Sequence, residues 1–167
     1  MMSINPDVKN RFQLLQLGVL SGKHAAVLAP LLSALKIKYV SPKEIEAPDW
    51  FIMGCECESR ENCENGTIYI NPERLMSISI EDAAFVLEHE LWHIARDHNK
   101  RVGHRDPWLW TIACDHVSHL AMLAEGTSCS LRGQADPKFK NMTEEEVYAI
   151  LEKEKLQQNS HVIRSAA

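Results

Sequence analysis

From about Arg11 to Leu35 apolar residues recur at three- and four-residue intervals: Leu14, Leu15, Leu17, Val19 and Leu20, then Ala25, Val27, Leu28, Leu31, Leu32 and Leu35. That period predicts helix. It breaks near Ser21-Gly22, and Pro30, with no N–H to donate, predicts a kink in the second part. Ile37-Lys38-Tyr39-Val40 alternates as a strand does and is stopped by Ser41-Pro42. Trp50-Phe51-Ile52-Met53 forms a second short apolar run ending at Gly54, and beyond Asn65-Gly66 the run Thr67-Ile68-Tyr69-Ile70 reads as a third strand closed by Asn71-Pro72. A small sheet is therefore expected after the N-terminal helices.

Ser77 or Ser79, followed by Glu81-Asp82, has the acidic first turn of a helix that continues through Ala84, Leu87, Leu91 and Ile94. Asp106-Pro107 opens another, with Asp as cap and Pro at the first helical position, running to about Glu125 before Gly126. Thr143-Glu144-Glu145-Glu146 starts a last amphipathic helix whose Val147, Ile150 and Leu151 face inward. The pattern predicts an α+β fold in one domain over residues 1–157, with residues 158–167 as a flexible tail and no internal repeat or linker.

With 167 residues and 45% hydrophobic content, the chain has the material for one ordinary core. A net charge of -5 offers no basic stripe for nucleic acid or anionic lipid, so neither is expected as a partner. The N-terminus from Met1 to Asp7 lacks the basic and apolar regions of a signal peptide, and no apolar run approaches the roughly 20 residues that span a bilayer. A soluble, cytoplasmic protein is the expectation. Five cysteines, of which Cys55, Cys57 and Cys63 cluster, fit reduced thiols in a loop or hairpin better than a disulfide framework or a four-ligand metal knuckle.

The chemistry concentrates in His89-Glu90-Leu91-Trp92-His93. On a helix advancing about 100° per residue, two histidines four apart lie about 40° from each other, so both imidazoles can bind one zinc ion. Glu90 does not ligate in this pattern; it reaches the metal-bound water and takes its proton, while zinc lowers that water's pKa toward ~7. With only three fixed positions the pattern also occurs on helices that bind nothing, and its place within a clear helical period after a strand is what favours the metal reading.

A catalytic zinc usually takes a third protein ligand and leaves the fourth position to water. His98, His104, Asp115, His116 and His119 are the candidates. In a continuing helix His98 would lie about 140° from His93 and about 180° from His89, so it can ligate only if the helix breaks near Arg96, and no glycine stands between His93 and His98 to make that break. Asp115 sits inside the apolar stretch from Trp108 to Leu123, where an uncompensated carboxylate would cost several kcal/mol, so a cation is expected to hold it. The bland alternative is a buried pair with Arg105 or Arg101. His119, one turn on from Asp115, falls on the same face and can support a ligand or polarise substrate.

These residues resemble the putative metallopeptidase domain family that commonly precedes a von Willebrand factor A-like domain in bacterial and phage proteins. The resemblance rests on Thr67-Ile68-Tyr69-Ile70-Asn71-Pro72-Glu73, on His89-Glu90-Leu91-Trp92-His93 with His98, on Arg105-Asp106-Pro107 leading into Trp110-Thr111-Ile112-Ala113-Cys114-Asp115, and on Met142 to Tyr148 as the closing helix. It covers the chain from the N-terminal helices to about Leu151. Ala113 and Asp115 fit the family's pattern, whereas His119 stands where the family has asparagine, and the accompanying C-terminal domain is not expected within these 167 residues. The resemblance implies a zincin-like fold and peptidase activity, and it implies no particular substrate.

The combined expectation is a zincin-like α+β chain: N-terminal helices, a small mixed sheet with Thr67 to Ile70 near the cleft, a metal helix, and a following helix carrying the third ligand. One Zn2+ per chain is held by His89, His93 and Asp115. Glu90 acts as general base in hydrolysing a peptide or protein substrate, aligned on an exposed edge strand. The competing expectations are a non-catalytic, zinc-stabilised binding or adaptor protein, its fourth position filled by His98 or His119 and its partner a separate protein, and a zinc hydrolase of a non-peptide amide.

Overall fold

The computed structural model describes residues 4–127, 129–131, 133 and 135–166, with 159–166 described by backbone alone. Met1, Met2 and Ser3, on which part of the N-terminal reading rests, lie outside the described residues, as does Ala167 at the end of the expected tail. The chain divides into two compact units, Met1–Arg101 with Thr127–Leu131, and Val102–Gly126 with Arg132–Ala167.

The first unit opens with α1 (Pro6–Ser21) and α2 (Ala25–Ala34). Asn5 caps α1 by accepting the Asp7 N–H, with Pro6 in the first turn, so the helix starts ahead of its apolar repeat. Pro30 lies inside α2 without ending it. Three strands follow, β1 (Lys36–Tyr39), β2 (Met53–Glu56) and β3 (Thr67–Ile70), in the spatial order β1-β3-β2. β1 runs parallel to β3, with Ile37 opposite Ile68, while β2 runs antiparallel, with Met53 opposite Ile70 and Cys55 opposite Ile68. The sheet is mixed, as expected, and two details differ from the sequence reading.

β2 begins where the apolar run Trp50-Phe51-Ile52-Met53 was expected to end, and carries Gly54 and Cys55 through the ladder. Pairing with β3 sets that register: the Ile52 carbonyl takes the Asn71 N–H and the Phe51 carbonyl takes the Asn71 side-chain amide, while Trp50 stays exposed. β3, expected beside the cleft, is the central strand and has a partner on each side. Ile68 and Ile70 are fully buried there, so β3 offers no free edge.

Asn71 also caps α3 (Pro72–Ser77), accepting from the Glu73 and Arg74 amides, and Ser79 caps α4 (Ile80–Ala95) through the Asp82 N–H. The core joins Phe12, Leu15, Leu28 and Leu32 of the first two helices to Ile68, Ile70 and Leu75, and to Leu87 and Leu91 one turn apart on α4. Each such side chain contributes about 1.5–3 kcal/mol by leaving water. That burial fixes which way α4 faces. A short α5 (His98–Arg101) ends the main segment, and Thr127–Leu131 returns to this unit, where the Ser130 N–H and hydroxyl both donate to the buried Asp82 carboxylate.

The second unit is built on α6 (Pro107–Ala124) and α7 (Glu144–Ala166), which pack around Leu109, Trp110, Ala113, Cys114, Val117, Phe139, Val147 and Tyr148. Asp106 caps α6 by accepting from the Leu109 N–H at 2.9 Å, and its own N–H donates to the Tyr148 hydroxyl at 3.1 Å. α7 extends beyond Gln157, where the helical pattern was expected to fray. Among the described residues no helix is long and apolar enough to cross a membrane.

Candidate metal centre

α4 brings His89 and His93 together as their four-residue spacing requires. Their Nε2 atoms face each other at 2.9 Å, with ring centroids 4.4 Å apart and planes nearly perpendicular. Tetrahedral zinc bonds of about 2.0–2.1 Å would separate two such nitrogens by about 3.3 Å, so a few tenths of an ångström of opening fits the ion. Imidazole nitrogens are also donors that borderline metals such as zinc prefer. The two rings therefore suit a metal ion.

Glu90, between them in sequence, turns its carboxylate to the sheet: Oε2 accepts the backbone N–H of Cys55 in β2 at 3.1 Å. A side chain with three rotatable bonds is thus tied to a rigid strand. The Cys55 thiol beside it is pushed well above the usual thiol range, first by burial and then by the Glu90 charge, which keeps it protonated and inert as a nucleophile. Neither role of Cys55 was visible in the sequence, because a backbone amide carries no residue-type signal.

His98 corrects the sequence argument. It was set aside because a continuing helix would point it away from the metal. Instead α4 stops at Ala95, with Arg96 as its cap, and Asp97 takes the left-handed conformation at φ 53°. Aspartate is among the few non-glycine residues that visit this region readily, so the break needs no glycine. Asp97 is held in turn by Arg60, whose N–H donates to Oδ1 at 2.9 Å and whose Nε lies 3.1 Å from Oδ2. The turn carries His98 back to His93, Nδ1 to Nδ1 at 2.8 Å, and leaves His98 only 3% exposed. Asn99 completes the arrangement by donating to the Cys57 carbonyl at 2.7 Å.

The cysteine cluster is an ordered loop. Cys57 and Cys63 are buried free thiols 3.2 Å apart, and both lie within hydrogen-bond reach of the Ser59 carbonyl, Cys57 at 3.0 Å and Cys63 at 3.5 Å. Burial first, then the bond to Cys57, pushes the Cys63 thiol up to about 12. Such thiols are structural in character.

Asp115 lies in the second unit, near the middle of α6, and is half-buried where the sequence implied full burial. Its flanking Ala113, Cys114, His116 and Val117 fill the core, whereas Ile112, Asp115 and His119 share the less covered face. His116 is buried, its Nδ1 accepting the Asp136 N–H at 3.1 Å and its ring edge-on to Phe139, and burial lowers its pKa so that it stays neutral. His104 is exposed in the loop before α6. Arg105, the expected alternative partner of Asp115, stacks over Trp110 with its guanidinium carbon 4.9 Å from the ring centroid.

A mixed α+β chain with paired imidazoles flanking a strand-anchored carboxylate on one helix has the donor set of a metal-binding protein. The chain belongs to the family described as "Putative metallopeptidase domain", whose model matches residues 54–166. The match begins in β2, so α1, α2 and β1 lie ahead of it. No curated protein and no solved structure matches the chain.

Proposed function

We propose that the protein is a zinc-dependent peptidase of the zincin type, acting in the cytoplasm. The observation that carries this reading is the facing pair of Nε2 atoms of His89 and His93, 2.9 Å apart, on the helix whose Glu90 carboxylate is tied to the Cys55 amide. Family membership supports a metal and peptide hydrolysis. In this reading one zinc ion per chain is held by His89, His93 and Asp115. Asp115 is assigned on the sequence argument, as a carboxylate set in an otherwise apolar helix whose charge calls for a cation.

Zinc, when bound, supplies Lewis acidity, lowering the pKa of water toward ~7 and polarising the scissile carbonyl. Glu90 removes the water's proton and returns it to the leaving amine. With Oε2 accepting from Cys55, Oε1 is the oxygen that would take the water's proton. β2 is the edge strand next to Glu90, and an extended peptide adds along its outer side by backbone hydrogen bonds.

The test is cleavage of a quenched-fluorescent peptide library by zinc-loaded protein. Wild type cleaves a subset of peptides and a chelator stops it. Glu90→Gln lowers the rate at least about 100-fold, the usual minimum for losing a general base, with zinc content unchanged. Equal rates in Glu90→Gln and wild type would refute the general-base assignment.

A further inference from the structure

We infer that His98 is a positioning residue, not a zinc ligand: its Nδ1 accepts the Nδ1–H of His93, holding that imidazole in the tautomer that leaves Nε2 free for the metal. The inference rests on the metal reading above. It starts from the two nitrogens of His93, which face different neighbours: Nε2 meets Nε2 of His89 at 2.9 Å, and Nδ1 meets Nδ1 of His98 at 2.8 Å. A neutral imidazole carries one proton. If Nε2 gives its lone pair to a metal, the proton is on Nδ1, and the atom 2.8 Å away must accept it.

A ligand role would require a His98 nitrogen to converge with the two Nε2 atoms. Its Nδ1 instead meets the other nitrogen of the His93 ring, Nδ1, with the ring centroids 4.8 Å apart and the planes near perpendicular. The surroundings are built to keep it there. Left-handed Asp97 turns the chain, Arg60 grips the Asp97 carboxylate, Asn99 ties the next residue to the Cys57 carbonyl, and His98 itself is buried. Ligating histidines elsewhere donate their second nitrogen to a carboxylate, a carbonyl or water, and here a second imidazole fills that place.

The experiment compares zinc affinity, by competition with a chromophoric chelator, in wild type, His98→Leu, His98→Asn and His93→Ala. An asparagine Oδ1 can stand where His98 Nδ1 stands and accept the same proton, whereas leucine fills the space without accepting. His98→Leu is expected to weaken binding about 10–100-fold, His98→Asn to recover most of the loss, and His93→Ala to lose binding altogether. With an NMR-active cadmium isotope in place of zinc and isotope-labelled histidine, nitrogens of His89 and His93 should couple to the metal and those of His98 should not. That coupling decides the matter in wild type even if His98→Leu does not fold. Cadmium coupling to His98, or wild-type affinity in a folded His98→Leu, would overturn the inference while leaving the metal reading intact. Absence of metal binding by wild type would remove both.

Discussion

Asp97 shows how one residue redirects a site. Its left-handed φ turns α4 back on itself, and two effects hold it there: tolerance of that conformation by aspartate, and the grip of Arg60. The ion pair is the lesser of the two, since the Arg60 side chain is 58% exposed and such pairs contribute at most about 1 kcal/mol. Asp97→Ala is therefore expected to cost about 1–2 kcal/mol in urea unfolding, from the backbone conformation, and Asp97→Gly less, although both lose the carboxylate. The sequence disclosed His89, Glu90 and His93 because their spacing is itself the signal. It hid the placement of His98, because the periodicity that predicts a helix does not mark where it stops. The pair Arg96-Asp97 was the available clue, as a cation at the C-cap followed by a residue that tolerates positive φ.

Asp82 allows a test of charge at the same scale. Bonds from the Ser130 hydroxyl and N–H, the leading causes, hold its carboxyl below the ordinary aspartate value. The folded state thus prefers the ionised form. The stabilisation is complete above the unfolded pKa of about 3.9 and is lost as pH falls through the lower folded value. Ser130→Ala should destabilise the protein by about 1–3 kcal/mol at pH near 7, and the difference from wild type should shrink below pH about 3 in chemical denaturation.

Elements bounded by side-chain chemistry were legible, and those bounded by pairing were not. β3, α4 and α6 stand where turn residues and caps put them: Ser79, one of the two serines the sequence offered, accepts the Asp82 N–H, and Asp106 accepts the Leu109 N–H. β2 was displaced because its limits follow from the ladder to β3 and from Asn71, which no local pattern reveals. That shift matters for function, since it is what puts the Cys55 amide next to Glu90. Gly66, just ahead of β3, reports on the packing of the same sheet. A Cβ there would sit 2.7 Å from Leu35 Cδ2, 3.0 Å from the Glu56 carbonyl oxygen and 3.1 Å from Cys57 Cβ. Gly66→Ala should lower stability by about 1–3 kcal/mol, as overpacking does, read as a reduced urea midpoint with an unchanged slope.

For the whole molecule, the α+β class with a small mixed sheet followed from the order of helical and strand-like runs. The division into two compact units did not, because no break in composition or run of linker residues marks Arg101–Val102. Family membership implies a metal. A ligand that binds only the folded chain stabilises it by about 2.7 kcal/mol at a hundredfold excess over its Kd, which for a chain of this length raises Tm by about 5–10 °C. Zinc should produce that shift in wild type, a chelator should reverse it, and His89→Ala should abolish it.

The central claim is that His89, His93 and Asp115 hold one zinc ion that Glu90 then uses. Zinc stoichiometry and affinity, measured by chelator competition on wild type, Glu90→Gln, His89→Ala, His93→Ala and Asp115→Ala, test it most directly. The account predicts one tightly bound zinc per chain in wild type and in Glu90→Gln, with affinity reduced at least about 100-fold in each of the other three, as expected for losing a ligand rather than a supporting contact. Wild type without zinc would contradict the metal centre as a whole, and undiminished binding by Asp115→Ala would contradict the ligand set.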